Sequence, residues 1–100
     1  MPRFAANLSM LFTEEPFLDR FKSAAKSGFT AVEFLFPYAW DPHELAGLLQ
    51  KHGLRLVLHN LPPGDPDSNE RGMACHPGRE HAFRASVALG IDYATTLACP

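Results

Sequence analysis

The chain has 100 residues, 46% hydrophobic and 20% charged, enough for one small core and at most one domain. Its formal charge is -2 and its nine basic residues are scattered, so it carries no electrostatic footprint for nucleic acid or for an anionic lipid surface. No apolar run approaches the roughly 18 residues needed to span a bilayer, and Met1-Pro2-Arg3-Phe4 does not open a signal peptide, so the expected location is cytoplasmic and without a membrane partner. Cys75 and Cys99 are then expected to stay reduced.

Phe4-Ala5-Ala6-Asn7-Leu8-Ser9 reads as a first strand. Phe17, Leu18, Phe21, Ala24 and Ala25 recur at helical spacing, Pro16 suits a first helical turn, and Gly28 fits a left-handed end, which predicts a helix from Glu15 to Ser27. Ala31 to Phe36 is a short, nearly continuous apolar run, the pattern of a strand in a parallel sheet with both faces buried. Asp41 as N-cap, Pro42 at the first helical position, Glu44 two residues on, and Leu45, Leu48 and Leu49 as the apolar stripe predict a second helix that stops at Gly53.

Leu54 to His59 repeats the strand pattern. A long loop rich in Pro, Gly and Asp follows, and Phe83, Val87, Ile91, Ala94 and Ala98 mark a third helix from Pro77 or Gly78 to about Ala98. Gly90 inside that helix costs about 1 kcal/mol relative to Ala, a cost that helix packing could offset. A β-then-α unit of about 25 residues thus repeats three times, which implies parallel strands whose following loops share one face, where sites on parallel sheets lie.

Several residues on that face invite a chemical role. Asn7 and Ser9 end strand one and are candidate hydrogen-bond donors to substrate oxygens, or satisfy turns. Glu33 interrupts the apolar run of strand two, and a carboxylate there is either a site residue or an anchor bonded to neighbouring strands. His59 and Asn60 close strand three, and alternation would turn one of them to the mouth. On the long loop Arg71 and Arg79 are the candidate cationic partners for a carboxylate, with Arg71 favoured because Arg79 falls in the first turns of helix three. Phe12, Phe36, Tyr38 and Trp40 could wall the mouth. Cys75, His76 and His81 match no zinc spacing, and no metal ligand set is read in this chain.

Three blocks in order, Arg3 to Phe12, Gly28 to Tyr38, and His59-Asn60-Leu61-Pro62-Pro63-Gly64-Asp65 with Glu70-Arg71-Gly72 and Pro77-Gly78-Arg79-Glu80, resemble the hydroxypyruvate isomerase family over essentially the whole chain. They also resemble the related 2-oxo-tetronate isomerases, and both belong to the xylose isomerase-like group of TIM barrels. The resemblance implies an α/β fold, the first three β/α units of a (β/α)8 barrel of about 250 residues, in one partial domain over residues 1–100 with no second domain. It implies interconversion of hydroxypyruvate and tartronate semialdehyde through an enediol, with a small 2-oxo hydroxy acid or sugar-like substrate and room for a homo-oligomer.

On that reading Asn7, Glu33, His59, Asn60 and Arg71 are the candidate substrate-binding residues. The acid/base glutamates and the ligands of any divalent metal would lie on later strands, so the isolated 100-residue chain is expected to be inactive. A metal-dependent ketose epimerase or sugar isomerase is the enzyme alternative. A noncatalytic partial barrel that assembles with another chain is the other, because three parallel strands leave raw edges that something must cover.

Overall fold

The computed structural model describes residues 2–64 and 72–100. Among them, three strands form one parallel sheet in the order β1 (Ala5–Asn7), β2 (Ala31–Glu33), β3 (Arg55–Leu58). They alternate with α1 (Arg20–Lys26), α2 (Pro42–Lys51) and α3 (Glu80–Thr96). No helix among the described residues is long and apolar enough to cross a membrane.

Each strand is shorter than its apolar run, because the sequence pattern marks burial whereas a strand lasts only as long as the regular ladder. One face of the sheet presents Ala6, Leu8, Val32, Phe34 and Leu56, all buried, to Phe21, Ala24, Leu45, Leu49, Tyr93 and Leu97 of the helices. The other face carries Ala5, Asn7, Ala31 and Glu33, against which no helix packs among the described residues, and Leu58 remains 45% exposed. The expectation of two buried faces therefore holds for one face of this chain.

The first helix begins later than Glu15. Pro16 is extended, at φ -55 and ψ 149, and a short 3-10 turn over Phe17–Asp19 leads into α1. A residue before proline is pushed out of the helical region, which keeps Glu15 out. Its carbonyl instead accepts from Arg20 Nε at 2.9 Å, and its carboxylate accepts from the Ser23 hydroxyl. α2 starts as its sequence indicates, with Pro42 first and the Asp41 side chain accepting from the His43 amide at 2.8 Å. α3 starts at Glu80, after Gly78 takes φ +81, a value that no helix contains, so Arg79 precedes the helix.

All three helices end in one way. The amide of the residue just beyond the C-cap reaches back to the second-last helical carbonyl, and the next amide reaches the third-last. The pairs are Gly28 to Ala25 at 3.1 Å with Phe29 to Ala24 at 3.1 Å, Gly53 to Gln50 at 3.2 Å with Leu54 to Leu49 at 2.9 Å, and Ala98 to Thr95 at 3.3 Å with Cys99 to Ala94 at 2.9 Å. The first residue of each pair is left-handed, at φ 96, 64 and 53. At the third helix that residue is an alanine, whose Cβ makes the conformation costly.

Candidate functional site at the C-terminal ends of the strands

The ladder places polar residues side by side. Asn7 is the register partner of Glu33, and Glu33 of Leu58, so these three form a row across the face against which none of the described helices packs. Asn7 Nδ2 donates to Glu33 Oε1 at 3.1 Å. The Asn7 side-chain oxygen accepts from the Ser9 amide at 2.9 Å, and the Ser9 hydroxyl accepts from the Leu35 amide at 2.9 Å. Glu33 is thus anchored to the neighbouring strand, at the C-terminal end of β2. Asn7's second amide proton and Glu33's second oxygen are the valences through which the pair can meet a ligand.

Between Val32 and Glu33 the register slips by one residue, pairing Val32 with Leu56 but Glu33 with Leu58. Such a bulge inserts one residue and re-aims the side chains that follow. Leu58 thereby joins the Glu33 row, and His59 turns to the helix side. There its ring stands edge-on to Tyr38, with centroids 6.3 Å apart, and Tyr38 in turn packs edge-on against Tyr93 of α3 at 4.8 Å. The ladder continues past the strand, with the Asn60 amide donating to the Leu35 carbonyl at 2.8 Å. Asn60 is exposed and borders a cavity of about 360 Å³ lined also by Phe36, Gly72, Met73 and Phe83.

Of the remaining candidates, Arg71 lies outside the described residues. Arg79 donates to the Met73 sulfur at 3.4 Å. Trp40 stacks on Phe17 with centroids 4.3 Å apart, while Phe36 stays 43% exposed beside the mouth. Cys75 is an exposed free thiol, and Cys99 is half-buried and free. Among the described residues no three His, Cys, Asp or Glu side chains gather closely enough to hold a metal ion, so these residues by themselves do not fit a metal centre.

Two side chains matter more than their residue types announced. Arg20 donates to the Leu8 carbonyl at 2.7 Å and lies over the Phe17 ring at 5.8 Å, bracing the loop after β1. Tyr38, read as mouth wall, uses its hydroxyl: it donates to the Asn60 carbonyl and sits 3.3 Å from His59 Nδ1. Burial, and then the neighbouring Tyr93, push the Tyr38 hydroxyl from 10.0 up to about 12. Burial also raises the Cys99 thiol, partly offset by a hydrogen bond from the His59 backbone. The signal for Tyr38 was its place just after a strand end, where a buried hydroxyl must find a partner.

Another cavity, of about 480 Å³, lies at the opposite end of the strands, lined by Arg3, Ala5, Ala31, Arg55 and Val57. Size does not make it the site, since parallel sheets carry their chemistry at the C-terminal strand ends.

Comparison with known proteins agrees with this architecture. Residues 21–100 match the family model described as xylose isomerase-like TIM barrel. The chain is 56% identical over 97 residues to hydroxypyruvate isomerase of Escherichia coli and 52% identical over 100 residues to 2-oxo-tetronate isomerase of Haemophilus influenzae. It covers 97% and 100% of itself in those matches but 38% and 39% of the relatives' lengths. The crystal structure of AP endonuclease, family 2, from Brucella melitensis superposes with a TM-score of 0.96 at 55% identity, over 99% of this chain and 38% of that one. With its parallel β/α units and a family match over four-fifths of its length, this chain belongs to the xylose isomerase-like TIM barrel family.

Proposed function

We propose that this chain forms the first three β/α units of an isomerase that interconverts hydroxypyruvate and tartronate semialdehyde. The observation that carries the reading is similarity along the whole chain, at 56% identity, to a relative named for that substrate. The geometry supports it. Moving a proton between adjacent carbons through an enediol needs substrate oxygens held in one orientation and developing charge met by fixed donors. Asn7 offers a fixed amide donor and Glu33 an acceptor for a substrate hydroxyl at the strand ends, the exposed Asn60 follows β3, and Arg71, whose charge suits the substrate carboxylate, belongs to the same strand-three loop in sequence. His59 stands on the helix side. The acid and base that move the proton are assigned to strands beyond this chain, as are the ligands of any divalent metal.

A second reading shares these residues. Relatives named 2-oxo-tetronate isomerase stand at 50–53% identity, so a substrate one hydroxymethylene longer is equally compatible with the strand ends described. Assay of the whole enzyme on both substrates separates the two: turnover of hydroxypyruvate with a higher kcat/KM supports the first reading, preference for 2-oxo-tetronate the second, and inactivity on both refutes the isomerase assignment.

A further inference from the structure

The segment leaving β3 is held by a clamp at Tyr38. Tyr38 has one hydroxyl proton and the Asn60 carbonyl has none, so the contact between them takes the tyrosine's proton. His59 Nδ1 lies 3.3 Å from the Tyr38 oxygen and 3.3 Å from the Asn60 carbonyl oxygen. A bare nitrogen lone pair facing two oxygen lone pairs would be repulsive. Nδ1 therefore carries the proton, and in neutral His59 the lone pair sits on Nε2. The Tyr38 ring is fixed from behind by Tyr93, whose own hydroxyl donates to the Trp40 carbonyl at 2.6 Å.

The next residue is anchored as well. A methyl group at Gly90 of α3 would stand 2.3 Å from Leu61 Cδ2, so the glycine makes room for Leu61 to lie against the helix. Residues 59, 60 and 61 are thus tied to Tyr38 and α3 by a ring nitrogen, a carbonyl and a side chain in turn, while Asn60 stays exposed beside the cavity lined by Phe36, Met73 and Phe83.

We infer that Tyr38 is a positioning residue of the site: its hydroxyl oxygen accepts a hydrogen bond from His59 Nδ1–H and its O–H donates to the Asn60 carbonyl, so that the Asn60 side chain is presented to substrate oxygens. The inference rests on the isomerase reading for the identity of the substrate, but the clamp itself does not. Because the Tyr38 hydroxyl is held up to about 12, it stays protonated and able to donate throughout the neutral range.

The test is made on the whole enzyme with histidine nitrogens labelled and the His59 signals identified by their loss in His59→Gln. The wild type is expected to show a protonated Nδ1 and an unprotonated Nε2. Tyr38→Phe, which keeps the ring against Tyr93 and removes only the hydroxyl, is expected to shift the Nδ1 signal while Nδ1 stays protonated, because one of its two acceptors is gone and the Asn60 carbonyl remains. In the same variant KM for hydroxypyruvate should rise about tenfold with a smaller change in kcat, the mark of lost ground-state positioning. Asn60→Ala should raise KM comparably, and Tyr38→Phe combined with Asn60→Ala should be no worse than Asn60→Ala alone, because Tyr38 acts through Asn60.

A protonated Nε2 in the wild type, an unchanged His59 signature in Tyr38→Phe, or multiplicative KM effects in the double variant would overturn the inference. Wild-type enzyme that turns over neither hydroxypyruvate nor 2-oxo-tetronate would refute the isomerase reading and the substrate role of Asn60, while the nitrogen signature still decides the clamp.

Discussion

The two ends of the sheet are built on different rules. Where its helices end, the chain uses one backbone device three times, closing α1, α2 and α3 with the same pair of amide-to-carbonyl bonds and one left-handed residue. Where strands lead into helices, side-chain bonds join the backbone ones among the described residues: Asn7 on Glu33, Ser9 on Leu35, Arg20 on Leu8, Tyr38 on Asn60. The contrast separates stability from chemistry. A repeated backbone turn is interchangeable and can be optimised locally, whereas a site needs a particular side chain at a particular strand end.

That division can be broken by substitution. The largest effect is expected at the mouth: in the whole enzyme, Glu33→Ala should lower kcat/KM for hydroxypyruvate about a hundredfold, on the scale of removing one preorganised polar group. Its unfolding free energy should change by only about 1 kcal/mol, the net worth of the Asn7 hydrogen bond. Steady-state kinetics beside a urea titration reads both, and a stability loss with intact kinetics would make Glu33 an anchor alone.

The helix-to-strand end should answer in reverse. Gly53 sits at φ +64 with open space where a methyl group would project, so Gly53→Ala carries only the conformational penalty of about 1–2 kcal/mol. A lower urea midpoint with unchanged KM is the expected outcome. Ala98 offers the complementary change, since Ala98→Gly relieves the left-handed alanine at φ 53 and should raise stability by about 1 kcal/mol without touching kinetics.

The smallest effect is in pH. Tyr38 is raised from 10.0 to about 12 by burial and by Tyr93, and Tyr93 is raised by burial and by Asp41. An acid whose folded pKa lies above its unfolded one contributes stability that is whole below the unfolded value and is lost as pH climbs through the folded one. Unfolding free energy should therefore fall from about pH 10 to about pH 12. Tyr38→Phe should flatten that alkaline limb, and a limb unchanged in the variant would remove Tyr38 as its source.

Much of the frame was legible in the residues. Gly28 and Gly53 announced their turns, Asp41 and Pro42 announced α2, and three apolar runs announced three parallel strands, because each of these signals acts over four or five neighbouring residues. Gly90 was legible as a cost but not as a reason, since Leu61, the residue it admits, lies 29 positions away and only packing brings it near. His59 and Asn60 show the same limit. Alternation offered two faces for two residues, and a one-residue slip between β2 and β3, invisible in either strand alone, assigned His59 to the helix side.

By itself, then, the sequence determined the order and kind of the elements, the turns that end the helices, and the family likeness carried by long blocks of residues. Tertiary structure decided the register that sets Asn7 beside Glu33, the bulge that turns His59 to Tyr38, and the bonds that tie the Asn60 backbone to Tyr38 and Leu35. The physical reason is reach: helix caps and strand runs are satisfied by neighbours in the chain, while a site is assembled from residues tens of positions apart whose alignment depends on how the strands pair.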